Sequence, residues 1–233
     1  MNFKSLSFPK FTAALLFTLS FFAASALAGP PLICHSFDIG NANSLPWISH
    51  DWNLTGTESY NTKNLAADTI AILDSNPVVL VHMETLRRAT LYARRDPVAA
   101  KELLIKLVAR ANAAGTSTPS SALASFDEGY LAETYKQWLG NERSNPAQGL
   151  DGYALVKKAM QARGDDPQME FAASLITLNG PAADQREHAQ KAVAGAKIDP
   201  LLARNLSAHF WHTPSQTMAE MISRSPNVKV AQQ

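Results

Sequence analysis

From Thr62 onward, apolar side chains recur every three or four residues along most of the chain, which is the spacing of one face of an α-helix. The clearest stripe is formed by Val79, Met83, Leu86, Thr90 and Ala93. No stretch alternates apolar and polar residues for long enough to predict a β-strand. The pattern therefore predicts an all-α fold with about eight amphipathic helices over residues 62–222.

The residues between the stripes mark where helices begin and end. Asp-Pro pairs at 96–97, 166–167 and 199–200 place a capping carboxylate before a proline that suits the first helical turn. Apolar stripes stop at three glycines, which favour helix C-termini: Gly115, Gly140 and Gly164. Because the connections are short, consecutive helices are predicted to be antiparallel neighbours. We expect antiparallel helix-hairpin repeats, arranged as an α-solenoid or a bundle.

The N-terminus has the pattern of a secretory signal. Lys4 and Lys10 precede the uncharged apolar run "FTAALLFTLSFFAASALA", which ends in small residues at positions 26 and 28. The sequence therefore predicts a signal peptide over residues 1–28 and a secreted or periplasmic protein with no membrane span after cleavage. The alternative interpretation is an uncleaved N-terminal membrane anchor, for which the apolar run is short.

Residues 29–61 have no helical period and are interrupted by prolines and glycines. Trp47 and Trp52 make this stretch too apolar for a free tail. We therefore expect an extended N-terminal arm that lies across the helical domain with its indole rings buried. At the other end of the chain, residues 223–233 are predicted to form a flexible tail.

Charge and cysteine content exclude several classes of protein. The chain has 21 Lys and Arg against 20 Asp and Glu, and two of the lysines lie in the predicted signal peptide. The remaining chain is nearly neutral, so no strong field would attract nucleic acid or an anionic membrane. One cysteine, Cys34, cannot form an internal disulfide, so the fold depends on packing.

The C-terminal half contains "YALVKKAMQARGDDPQMEFAASLITLNGP", which resembles a tetratricopeptide-type or Sel1-type repeat. Tyr153 opens its first helix, Gly164 makes its turn, and the small residues Ala172 and Ala173 allow close packing. The stretch "LRRATLYARRDPVAAKELLIKLVARA" resembles a degenerate earlier unit. The resemblance implies a TPR-like helical fold. The opening "GPPLICHSFDIGNANSLPW" is similar to the start of uncharacterised secreted bacterial proteins, which implies only a location.

Two groups of residues could carry metal or thiol chemistry. Cys34 and His35 are adjacent, and His209 and His212 are spaced to share one face of a helix. If the arm folds back near the last helix, these four side chains could bind a transition metal or haem. Cys34 could instead be a nucleophile activated by a histidine, or a buried structural residue.

Basic side chains are concentrated on the predicted second helix, where they could bind acidic groups of a partner. They are Arg87, Arg88, Arg94 and Arg95. The alternative is a solvated helix surface. His82 lies beside apolar positions and is interpreted as a core histidine with a hydrogen-bonded ring.

The sequence lacks the nucleophile-elbow, phosphate-loop, dinucleotide-binding and calcium-loop motifs. We therefore expect a non-catalytic exported protein that binds a peptide or protein in a groove formed by the first helix of each pair. The second hypothesis is a periplasmic metal- or haem-binding protein that uses Cys34, His35, His209 and His212. The third is a hydrolase that uses Cys34.

Overall fold

The computed structural model describes residues 30–48, 54–115, 118–140, 145–164, 166–179 and 181–210. These residues form eight α-helices, one 3-10 turn at Thr62–Asn64 and no β-strand. The helices are α1 (Leu65–Ser75), α2 (Val79–Ala93), α3 (Pro97–Ala114), α4 (Pro119–Leu139), α5 (Gly152–Arg163), α6 (Pro167–Ile176), α7 (Ala182–Gly195) and α8 (Pro200–Phe210). The all-α prediction is confirmed for the described residues, and the repeat arrangement stays a prediction.

Several predictions fall on parts of the chain that are not described. They concern the signal peptide over 1–28, Trp52, His212 and the tail over 223–233. Among the described helices, none combines the length and the apolar composition that crossing a membrane requires.

The three Asp-Pro pairs begin helices as the sequence predicts. Asp96 accepts hydrogen bonds from the backbone N–H groups of Val98 and Ala99 at the start of α3. Asp166 caps α6, and Asp199 accepts a backbone N–H in the first turn of α8. Each carboxylate satisfies a donor that would otherwise have no partner within the helix, and it also complements the helix dipole.

Glycine ends α4 and α5 in the expected way, as Gly115 does after α3. Gly164 adopts the left-handed conformation after α5, with φ 74°, and its N–H donates to the carbonyl of Met160. Gly140 follows α4 with φ 63° and donates to the carbonyl of Lys136. Residues with a Cβ atom rarely adopt these angles, so glycine sets where both helices stop.

Helices α2, α4 and α6 lie inside the molecule. α2 contacts α4 and α6, and α4 also contacts α6. In α2, 14 of the 15 residues are buried, so this helix is covered on every side. The sequence predicted only one buried stripe for it. The second covered face of α2 is explained by the N-terminal residues, which lie against it.

α4 and α5 cross at a pair of glycines. A Cβ atom on Gly129 would lie 2.5 Å from the carbonyl oxygen of Gly152 and 2.8 Å from Cβ of Leu155. No side chain fits between the two backbones there. The crossing therefore requires glycine because there is no room for a Cβ atom; a positive φ is not the reason.

We predict that Gly129→Ala lowers the free energy of unfolding by about 1–3 kcal/mol, because the new methyl group overpacks the α4–α5 crossing. In an open helix the same change would be stabilising, by about 0.5–1 kcal/mol. Urea denaturation measures whether the substitution lowers or raises the free energy of unfolding. Gly149→Ala is the control, since a Cβ atom there meets nothing within 4 Å. An increase in stability for Gly129→Ala would contradict this account of the crossing.

Candidate functional site

Residues 30–48, which we call the docked segment, contribute directly to the core of the helical domain. Leu32 and Ile33 are fully buried, and Phe37 and Leu45 are almost so. Burial of an apolar side chain of this size contributes about 1.5–3 kcal/mol. The docked segment therefore packs across the helices as part of the core.

Glu84 of α2 lies at the centre of the contact with the docked segment. Its carboxylate is fully buried and accepts two hydrogen bonds from Arg87, at 2.8 and 2.9 Å, and one from Arg88 at 2.7 Å. It also accepts the backbone N–H of Phe37 at 2.9 Å. Two guanidinium groups and one amide thus compensate the cost of burying this charge.

The two arginines continue from Glu84 to the docked segment. Arg87 donates to the carbonyl of Ile33 at 3.2 Å, and Arg88 donates to the carbonyl of Leu45 at 2.6 Å. The indole of Trp47 lies over both guanidinium groups, with ring-centroid distances of 4.4 and 5.4 Å. The basic side chains of α2 therefore hold the chain's own N-terminal residues.

Asn205 of α8 binds both polar backbone groups of a single residue. Its amide oxygen accepts the N–H of Asp38 at 2.8 Å, and its amide nitrogen donates to the Asp38 carbonyl at 2.9 Å. A side-chain amide in this orientation recognises an extended backbone whatever side chain that residue carries.

Two further side chains bind backbone groups near the ends of the docked segment. Gln137 of α4 accepts the N–H of Leu32 at 2.9 Å. The hydroxyl of Tyr92 on α2 donates to the carbonyl of Pro46 at 2.6 Å. We call the surface that holds residues 30–48 the groove. Its polar side chains are Glu84, Arg87, Arg88, Tyr92, Gln137 and Asn205.

At the α8 end of the groove, His209 lies among aromatic rings. It stacks on Phe37 with centroids 4.6 Å apart and meets Phe171 of α6 edge-on at 5.3 Å. Burial lowers the pKa of His209 to about 4, so the ring is neutral near pH 7. Nδ1 donates to the carbonyl of Asn205, and Nε2 is buried without a hydrogen-bond partner.

The structure brings together part of the predicted metal site. The rings of His35 and His209 lie 5.5 Å apart, so the N-terminal residues do fold back onto the last described helix. His212 lies outside the described residues. Within the described part of the chain, no group of three or more His, Cys, Asp or Glu side chains is arranged to hold a metal ion.

The surroundings of Cys34 do not activate its thiol. Burial raises the pKa of Cys34 from its ordinary value of 9.0, and this effect exceeds the lowering caused by the nearby Arg87 charge. The thiol is therefore protonated near neutral pH, whereas a nucleophilic cysteine needs a stabilised thiolate. This removes the physical reason for the hydrolase hypothesis.

The four arginines expected to bind a partner occupy two different environments. Arg87 is buried and Arg88 nearly so, because both side chains bind Glu84 and lie beneath the docked segment. Arg94 and Arg95 are exposed after the end of α2, and the Arg94 guanidinium lies 4.5 Å from the Trp138 ring centroid. Only this second pair lies on an accessible surface.

His82 is a core histidine, as the sequence predicted, but its main partner is a carboxylate. Nδ1 donates to Asp127 of α4 and Nε2 donates to the carbonyl of Asn76, each at 2.6 Å. Asp127 also accepts from Arg110 of α3 at 2.8 Å. Both ring nitrogens of His82 face acceptor oxygens, an arrangement that favours the imidazolium form and raises the pKa of His82.

A second buried pair of this kind joins the later helices. Nδ1 of His188 on α7 lies 2.5 Å from the carboxylate of Glu170 on α6, and Nε2 lies 2.7 Å from the hydroxyl of Tyr153 on α5. Neither histidine pair borders the groove. Both connect helices, and neither adds a catalytic group to the candidate site.

Of the polar residues of the groove, sequence reasoning singled out only Arg87 and Arg88. It missed Glu84, Gln137 and Asn205, which carry no local signal. Asn205 lies 167 positions after the residue that it binds. A single amide in an amphipathic helix has no local feature that reveals such a contact.

The His82 pair should make stability depend on pH. Burial lowers the pKa of His82, but the Asp127 carboxylate and the hydrogen bonds to Asp127 and Asn76 outweigh burial and raise it above 6.5. This stabilisation is fully present below about pH 6.5 and is lost as the pH rises through the folded-state pKa. Urea denaturation between pH 6 and 9 should therefore show wild type losing stability relative to His82→Gln. Parallel curves for the two proteins would contradict the assignment.

Comparisons with known proteins give no indication of function, so the functional proposal is based on the groove. No family model, curated protein or solved structure matches the chain. The resemblance to tetratricopeptide-type repeats therefore stays a prediction from sequence. The positions of the groove residues, and not kinship, support the functional proposal that follows.

Proposed function

We propose that this exported helical protein binds an extended peptide in the groove formed by α2, α4, α6 and α8. One observation carries the proposal: side chains of the groove hydrogen-bond seven backbone groups of the docked segment. Recognition of main-chain groups is how proteins bind extended peptides of varied sequence, while apolar pockets add specificity. Residues 30–48 are then a peptide ligand that is part of the same chain.

The charges of the groove are already arranged to receive such a ligand. Arg87 and Arg88 neutralise Glu84 from within α2, and each of these three side chains retains a hydrogen bond for the peptide backbone. An incoming segment supplies one N–H and two carbonyl groups, and no charge, at this point. The contacts around Glu84 therefore set no requirement on the charge of the peptide at this point.

The covalent link gives the docked segment an advantage over any other peptide. A short linker holds a tethered ligand at an effective concentration of the order of millimolar. To replace residues 30–48, a foreign peptide of similar affinity must be present at a concentration above this effective concentration. The proposal therefore predicts little binding to the intact chain and strong binding once the link is cut.

This expectation can be tested with a protease site inserted directly after Ile48, whose side chain is 72% exposed. After cleavage, a fluorescent synthetic peptide of residues 30–48 should replace the cut segment and give a saturable rise in fluorescence anisotropy. The uncut protein should bind the same peptide far more weakly. A scrambled peptide of equal composition is the ligand control.

In the same assay, Asn205→Leu should weaken binding by about tenfold, since two hydrogen bonds to the peptide are lost. Asn179→Leu, at an exposed position after α6, is the matched control and should leave the affinity unchanged. If the cut protein fails to bind the peptide, or if the scrambled peptide binds equally well, the proposal is wrong.

A second candidate function is transition-metal or haem binding where the docked segment meets α8. The observation in its favour is Nε2 of His209, a neutral and buried lone pair without a hydrogen-bond partner. The ring of His35 is its neighbour, and Cys34 is adjacent in the chain. Imidazole and thiolate are common ligands of Zn²⁺ and Cu⁺.

His209→Phe separates metal binding from a purely structural role, because phenylalanine keeps the stacking on Phe37 and removes the nitrogen. If the site binds metal, Zn²⁺ or Cu⁺ should raise the melting temperature of untagged wild type by a few degrees and leave that of the variant unchanged. Haem should give a Soret band with wild type only. Equal responses of the two proteins, or none, would reject this second function.

A further inference from the structure

Two neighbouring side chains of the docked segment make contacts that depend on their own chemistry. Phe37 is only 3% exposed, and its ring stacks on His209 at an interplanar angle of 10°. Phe171 closes the pocket edge-on, with a centroid distance of 5.9 Å and an angle of 80°. Stacked and edge-to-face contacts of this kind favour an aromatic ring over an aliphatic side chain.

The next residue carries a carboxylate that an arginine binds. Arg204 of α8 donates through Nε to Asp38 at 2.6 Å, and both side chains are partly exposed. The hydrogen bond from Arg204 is the main cause of a lowered pKa for Asp38. Because Arg204 and Asn205 are adjacent on α8, this helix binds both the side chain and the backbone of Asp38.

A third feature sets the path of the chain beyond Asp38. The second oxygen of its carboxylate accepts the N–H of Gly40 at 2.8 Å, so the carboxylate closes a tight turn. Gly40 has φ 61°, which glycine adopts without strain. After the turn, residues 44–46 hydrogen-bond side chains of α2. An acidic residue and a glycine two positions later therefore act together.

We propose that the groove selects peptides in which an aromatic residue is followed directly by an acidic residue and, two positions after that, by glycine, as in Phe37–Asp38–Ile39–Gly40. This inference rests on the proposed peptide-binding function and names its ligand class. The aromatic residue enters the pocket of His209 and Phe171. The acidic residue pairs with Arg204 through its side chain and with Asn205 through its backbone N–H and carbonyl groups.

The test uses the cleaved protein and unlabelled competitor peptides of residues 30–48. A peptide with Phe37→Ala should compete at least about a hundredfold less well, and one with Phe37→Tyr should stay close to the parent. A peptide with Asp38→Lys should lose about fivefold, as expected for a partly exposed ion pair. A peptide with Gly40→Val should also weaken, because valine is strained at positive φ.

A charge exchange distinguishes direct pairing from general electrostatics. Arg204→Glu should weaken the parent peptide and restore the affinity of the Asp38→Lys peptide. Arg186→Glu makes the same charge change on the exposed side of α7 and should do neither. If both variants recover affinity for the Asp38→Lys peptide equally, Arg204 is not the residue that binds the acidic side chain.

The outcomes distinguish a failure of the sequence preference from a failure of peptide binding itself. If all the altered peptides compete as well as the parent, the groove binds peptides without this preference, and only the sequence preference is wrong. If the parent peptide itself does not bind, peptide binding fails as a whole. Loss of affinity for Phe37→Ala and Asp38→Lys, with rescue by Arg204→Glu, is the result that supports both.

Discussion

The buried carboxylate of Glu84 is the interaction on which the rest of this structure depends. It lies in the most completely covered helix, binds two guanidinium groups, and accepts an amide from outside the helical domain. Removing one partner of such a buried pair typically costs about 3–5 kcal/mol, because the remaining charge is left without compensation. The docked segment and α2 therefore stabilise one another through this carboxylate.

Buried carboxylates elsewhere in the core are bound by histidine side chains. His82 joins α2 to Asp127 on α4, and His188 joins α7 to Glu170 on α6. Each pair lies between helices and fixes how their apolar faces meet. Buried ionic groups of this kind add little net stability over an apolar core, and the specificity of the arrangement is the property that they supply in some proteins. We infer that they set the register of the helices around the groove.

The sequence predicted the helices well because their signals are local. The aspartates before α3, α6 and α8 cap the helices that follow them, and Gly140 and Gly164 end helices at the expected positions. His82 was correctly placed in the core. These features depend on residues within one turn of each other, so a periodic pattern and a few capping rules are enough to find them.

The arginines of α2 show where local reasoning fails. A basic side chain beside an apolar stripe is typical of a solvated face, yet Arg87 is 1% exposed because Glu84 and the carbonyl of Ile33 surround it. Its true environment includes a segment more than 50 positions earlier in the chain. No periodicity within α2 contains that information.

The sequence by itself thus determined the helical class, most helix ends, and the presence of an apolar segment before the first helix. Only the tertiary structure decided that this segment fills a groove, and that Asn205 and Arg204 at the other end of the chain hold Asp38. The physical reason is range: helix formation and capping act between near neighbours, whereas the groove is made by backbone groups and side chains that only folding brings together.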